Sequence, residues 1–181
     1  LREYTFVNYS QIITLKIQFM SIEVLLKESF FGLNNLKRLF LSENKITNLT
    51  KHLFSQMPIL EKLYLSNNLI EIIEEESFFG LSNLNELDLQ RNQIAIIRKY
   101  SFFGMLNLEK FNLRRNHIQY IEDVSFSNLK NLIELNLRNN NLRSIKKQMF
   151  YGMSKLERLF LNDNSVQIIE GESFLVLTNL I

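Results

Sequence analysis

The sequence repeats itself every 24 residues, without insertion or deletion, through seven consecutive units. A strict period of this length restricts the chain to stacked copies of one small structural unit. Apolar residues open the units at Ile12, Leu36, Leu60, Leu84, Leu108, Leu132 and Leu156. Three positions on stand Leu15, Leu39, Leu63, Leu87, Phe111, Leu135 and Leu159, and two further on Ile17, Leu41, Leu65, Leu89, Leu113, Leu137 and Leu161. Alternation of these columns with polar neighbours reads as a short strand with one face turned inward. A single unit carries too few apolar side chains to offset the entropy of fixing its backbone. Stability must therefore come from stacking neighbour on neighbour.

After each strand comes an asparagine, at Asn44, Asn68, Asn92, Asn116, Asn140 and Asn164. A polar side chain at the turn out of a strand can bond backbone groups left unpaired inside a tight coil, so this column is read as a structural ladder. Apolar columns follow at Ile46, Ile70, Ile94 and Ile118, then at Leu49, Ile73, Ile97 and Ile121. Late in each unit stand Phe30, Phe54, Phe78, Phe102, Phe126, Phe150 and Phe174, followed three residues later by Leu33, Met57, Leu81, Met105, Leu129, Met153 and Leu177. Large rings in register on the far side would fill the space that opens as a coil bends around its sheet.

Written as LxxLxLxxNxIxxIxxxxFxxLxx, the unit resembles the leucine-rich repeat family in its 24-residue form, over essentially the whole chain. The resemblance implies an α/β repeat solenoid, a curved horseshoe with a parallel sheet on the concave face and irregular or short helical convex segments. Residues 1–181 are expected to form one array: a partial repeat 1–11, full repeats 12–35, 36–59, 60–83, 84–107, 108–131, 132–155 and 156–179, and the start of another at 180–181. Met20 stands where the first full unit should carry its asparagine. Because both ends fall inside a repeat and solenoids need polar end caps, the chain is expected to be a piece of a longer array. The phenylalanine-bearing 24-residue class, without the Gly-x-Ile-Pro signature of the plant type, is found in animal receptor ectodomains, adhesion molecules and secreted matrix proteins. The resemblance thus implies an extracellular or cell-surface location, with a cytoplasmic scaffold as the alternative.

Composition narrows the function classes further. Hydrophobic residues make up 46% and charged residues 22%, enough to build a core in water. The net charge of +2 announces no charge-driven partner, so any electrostatic message must lie in where charges are placed. The absence of cysteine excludes disulfides, thiol catalysis and cysteine-bound zinc within these residues. No run of about 18 apolar residues suggests a segment inserted directly in a membrane.

Residues alternating with the inward leucines point onto the open face of the sheet. Its middle column is Lys16, Phe40, Tyr64, Asp88, Asn112, Asn136 and Phe160. The column before it is Thr14, Arg38, Lys62, Glu86, Lys110, Glu134 and Arg158, and the column after is Gln18, Ser42, Ser66, Gln90, Arg114, Arg138 and Asn162. Phe40, Tyr64 and Phe160 are the kind of side chain that anchors a protein interface; the alternative reading is that they are apolar residues covering one another. Arg91, Arg114, Arg115 and Arg138, with Lys110 nearby, form a basic group suited to carboxylates or sulfates, unless Glu86, Asp88 and Glu134 partly neutralise it. Sequons at Asn8 and Asn48 are candidate N-glycosylation sites. Glu74, Glu75 and Glu76 read as a solvated face, and His52 and His117 lack metal-ligand spacing.

No phosphate loop, nucleophile elbow or paired carboxylate suggests an enzyme, and no cofactor is implied. The mixed signs on the open face, with aromatics not interleaved among arginines, argue against nucleic acid. The leading expectation is a protein-recognition module. The alternatives are binding of a sulfated glycosaminoglycan or matrix through the basic group, and a passive spacer.

Overall fold

The computed structural model describes residues 1–181. Seven strands of three residues each, Thr14–Lys16, Arg38–Phe40, Lys62–Tyr64, Glu86–Asp88, Lys110–Asn112, Glu134–Asn136 and Arg158–Phe160, form one parallel sheet. They lie side by side in chain order. Every strand pairs with the next at an offset of 24 residues, so that Leu39 faces Leu63 and Phe40 faces Tyr64. This register keeps each repeat column intact across the sheet, because a slip of one residue would turn the leucines outward. Leu39, Leu63, Leu87, Phe111 and Leu135 at the strand centres are buried.

A second set of two-residue strands runs along another side of the coil. Asn48–Leu49 pairs with Ile72–Ile73, Ile96–Ile97 with Tyr120–Ile121, and Ser144–Ile145 with Ile168–Ile169. Leu49, Ile73, Ile97, Ile121 and Ile145 point inward, while Ile72, Ile96 and Tyr120 remain exposed.

Between sheet and outer turns lies one continuous apolar core. Phe30, Phe54, Phe78, Phe102 and Phe126 succeed one another with ring centroids 5.8–5.9 Å apart. Strands in a sheet are separated by only about 4.8 Å. The larger spacing at the phenylalanines makes each unit a wedge, thick at the outer side and thin at the sheet, which places the sheet on the concave face.

The expected α/β architecture, with irregular or short helical convex segments, is corrected to an all-β solenoid without convex helices, since no residue is helical. The outer segments are successive tight turns. Between Glu74 and Leu84, amide-to-carbonyl bonds span three residues, as from Ser77 to Glu74 at 3.2 Å and from Phe79 to Glu76 at 3.0 Å. Left-handed residues interrupt them, with φ at 57° for Glu76 and 93° for Gly80, then 64° for Tyr100 and 100° for Gly104. A right-handed helix needs consecutive residues in the right-handed region, so two left-handed positions four residues apart prevent propagation. Gly152, with φ at 92°, also leaves no room for a side chain, because a Cβ there would lie 2.6 Å from the Ser127 carbonyl oxygen.

A serine column also secures these turns. Ser29, Ser77, Ser101, Ser125 and Ser173 are buried. The Ser77 hydroxyl donates to the Leu49 carbonyl of the preceding unit at 2.9 Å and to Glu74 within its own turn at 2.5 Å.

Candidate functional site

The asparagine ladder holds the edge from which the concave face is displayed. Asn116 accepts from the Ile94 amide at 3.2 Å, and its amide donates to the carbonyls of Leu89 and Leu113, both at 3.0 Å. Asn44, Asn68, Asn92, Asn140 and Asn164 repeat the pattern, each donating within its own turn and to the preceding unit. The residue before each asparagine is left-handed: Glu43, Asn67, Arg91, Arg115, Asn139 and Asp163 have φ between 54° and 58°. Arg91 and Arg115 thus occupy the bend itself.

On the face, Phe40 and Tyr64 stack with centroids 4.7 Å apart and planes 14° from parallel. Parallel strand pairing puts them directly opposite, and the Lys16 ammonium lies 5.4 Å from the Phe40 ring centre. Phe160 is not part of this pair. It lies four strands beyond Tyr64, roughly 19 Å away at ordinary strand spacing. Its ring lies under the Arg138 guanidinium at 5.2 Å. Between the two aromatic ends, Asp88, Asn112 and Asn136 line a shallow polar depression with Glu86, Lys110 and Glu134 at its rim.

These three short side chains have a turn role that sequence reasoning missed. Asp88 accepts from the Gln90 amide at 3.0 Å, Asn112 from Arg114 at 3.1 Å and Asn136 from Arg138 at 3.1 Å. An Asp or Asn bonding the amide two residues on is a recognisable turn pattern, so its recurrence every 24 residues was available in the sequence.

The carboxylates do not reach the arginines. Glu86 bonds Lys62 at 2.8 Å and Glu134 bonds Arg158 at 2.9 Å, each along its own column. Lys110, in register between Glu86 and Glu134, forms no ion pair. Arg91, Arg114 and Arg138 instead contact the neutral side-chain oxygens of Asn67, Asn139 and Asn162. Arg115 is exposed, and its backbone amide donates to Arg138 just as that of Arg91 donates to Arg114.

Burial pushes the Asp88 carboxyl above the usual range, against the opposing pull of its bond from the Gln90 amide. A carboxyl raised in the folded state destabilises folding at neutral pH, and the penalty disappears as pH falls below the unfolded value of about 3.9. Asn fits the same bond at Asn112 and Asn136. Asp88→Asn is therefore expected to raise Tm at pH 7 by up to about 2 °C, the scale of a half-kcal/mol change in a chain of this size. Thermal melts at pH 7 and pH 3.5 check this, since a gain that persists undiminished at the lower pH contradicts the cause.

Elsewhere, Asn8 and Asn48 are exposed. Glu76 is held below the usual carboxylate range by Lys51 and His52, at 2.9 and 3.1 Å, so the acidic run is not merely solvated. His117 is exposed beside Ile72 and Ile96. No group of three or more His, Asp or Glu side chains is arranged to hold a metal ion, and no helix is long and apolar enough to cross a membrane.

An open parallel sheet on the inside of a regular solenoid, with mixed aromatic and charged side chains presented from fixed positions, defines a curved repeat scaffold. The leucine-rich repeat model matches in overlapping windows at residues 10–70, 41–94, 59–118, 82–142, 106–166 and 130–180. The chain belongs to the leucine-rich repeat family. Among solved structures, it is similar to a chain in the Toll–Spatzle complex of Drosophila, in its glycosylated form. The TM-score is 0.85 and the identity 22%, over 95% of this chain and 24% of the other. The present chain thus spans about a quarter of that one, and the likeness is one of fold. No curated protein matches it in sequence.

Proposed function

We propose that this chain is a protein-recognition segment of a receptor, adhesion or secreted protein, gripping a protein ligand on its concave sheet without catalysis. The observation that carries the reading is the Phe40–Tyr64 stack, two aromatic faces in contact on an otherwise open surface. Aromatic anchors surrounded by charges that set orientation are the usual source of interface affinity. The similar Toll chain is described in complex with Spatzle, which supports a protein as the ligand class. An extracellular or cell-surface location is supported by the resemblance to the 24-residue animal class.

Immobilised chain is exposed separately to extracellular and cytosolic protein pools, beside a Phe40→Ala, Tyr64→Ala variant. The expected result is capture from the extracellular pool, with affinity lowered about 30-fold or more in the variant, matching the loss of about 2 kcal/mol typical of an anchor. Capture from the cytosolic pool alone overturns the location. Unchanged capture by a correctly folded variant overturns the anchor.

A second reading has its own support. Because none of Arg91, Arg114, Arg115 and Arg138 bonds a carboxylate, they could hold sulfate groups of a glycosaminoglycan. Retention on heparin no stronger than that of an Arg114→Glu, Arg138→Glu variant rules this reading out.

A further inference from the structure

We infer that the ligand of the concave face presents an extended acidic segment lying across the strands, with an apolar side chain on Tyr64 and carboxylates against Arg114 and Arg138. This rests on the protein-recognition reading and specifies its partner. The arginines are left without a carboxylate partner, the nearby carboxylates being engaged elsewhere: Glu86 with Lys62, Glu134 with Arg158 and Asp88 with the Gln90 amide.

They are also held in place without being neutralised. Arg114 and Arg138 donate through Nε to the amide oxygens of Asn139 and Asn162, which leaves the terminal nitrogens of both guanidiniums directed elsewhere. The Phe160 ring beneath Arg138 further restricts its plane. Guanidiniums oriented by neutral acceptors lose little freedom when a carboxylate arrives, and their paired donors match its two oxygens.

The sheet also sets a register. The strand leading into Arg114 lies two strands from Tyr64, about 10 Å across the sheet or three residues of extended ligand at about 3.3 Å each, and Arg114 stands two residues past Asn112, which occupies the Tyr64 column there. Arg138 lies one strand further. Counting the apolar residue on Tyr64 as zero, acidic residues belong at positions three and four. Asp88 occupies the strand between, beneath positions one and two, where its own carboxylate repels an acid. Lys110, exposed and without an ion pair, borders the same depression.

A polyanionic sugar fits this face less well. Asp88 lies on the strand between Tyr64 and the strand leading into Arg114, and a chain bearing sulfates at regular intervals would bring one against its carboxylate.

The test uses fluorescent peptides titrated against the full chain by anisotropy. One carries phenylalanine, two serines and two glutamates in that order. A shifted peptide places the glutamates directly after phenylalanine, and a neutral one has glutamines in their place. A sulfated heparin octasaccharide is the fourth probe. The first peptide is expected to bind at least tenfold more tightly than either peptide control, and to lose this margin with Arg114→Glu, Arg138→Glu. Wild-type and variant melting curves establish that the fold is retained.

Equal binding of the shifted peptide overturns the register. Tighter binding of the octasaccharide, lost with the same variant, overturns the peptide in favour of a sulfated glycan. Failure of all four probes while Phe40-dependent and Tyr64-dependent protein capture persists overturns the acidic segment and leaves protein recognition standing. Failure of the probes together with loss of that capture overturns both.

Discussion

Asn116→Ala is expected to lower stability by about 3 kcal/mol, through one orphaned amide and two weakened carbonyls. The Ile94 amide is buried and bonds only the Asn116 side chain, so it would have no acceptor in the variant. Leu89 and Leu113 carbonyls each also accept from another asparagine, Asn92 and Asn140 respectively, so they would be left half satisfied. Every interior asparagine ties its own turn to the preceding unit in this way. The loss should consequently loosen the interface between the units of Asn116 and Ile94.

Asn164→Ala provides an internal comparison, because Asn164 makes the same bonds but is only partly buried. Water can take over there, and the expected cost is about 1 kcal/mol or less. Urea unfolding of both variants, with hydrogen exchange at the Ile94 and Leu142 amides, separates the two cases. Equal costs at the two positions would contradict a ladder whose value depends on burial.

Much of this architecture was legible because the 24-residue period controls both chain direction and strand register. The columns of Leu39, Asn44 and Phe54 each have one address in the unit, and parallel pairing at the same offset preserves it. The convex turns were not legible in the same way. The left-handed residues there include Glu76, Tyr100 and Val124, which carry none of the local signature that glycine gives, so the sequence left irregular and short helical segments both open where they forbid a helix. The buried serine column was obscured by Leu53 and Met149, which stand in its place in two units and are buried as well.

At the candidate site, sequence reasoning found the Phe40–Tyr64 contact because adjacent strands had to bring the pair together. It grouped Phe160 with them by residue type, although four strand steps separate it from Tyr64. It also allowed Glu86 and Glu134 to neutralise the arginines. These glutamates belong to the column that begins each strand, where Lys62 and Arg158 are their lateral neighbours. Arg114 and Arg138 follow the strands and meet asparagines instead.

Phe102→Ala is expected to cost about 3–5 kcal/mol, the range for removing a buried aromatic ring and leaving a cavity. Phe102 is fully buried between Phe78 and Phe126, at 5.9 and 5.8 Å, and meets the edge of Phe111 at 4.8 Å. Phe111 fills a strand position that is leucine in every other unit. The two rings together span the interior from sheet to outer turns, so neither is merely surplus volume. Phe111→Leu alone should cost about 1 kcal/mol, since leucine fits this column elsewhere and a near-isosteric apolar exchange is well tolerated. A double-mutant cycle should show coupling of about 0.5–1.5 kcal/mol for the edge-to-face pair. Urea midpoints of the four proteins supply the cycle, with the slopes confirming that the same surface unfolds in each. Strict additivity would mean that the rings contribute only as independent apolar volume. Coupling would mean that the one unit with phenylalanine at the inward position of its strand has locked its sheet to its outer turn more firmly than its neighbours, directly behind the polar depression of the concave face.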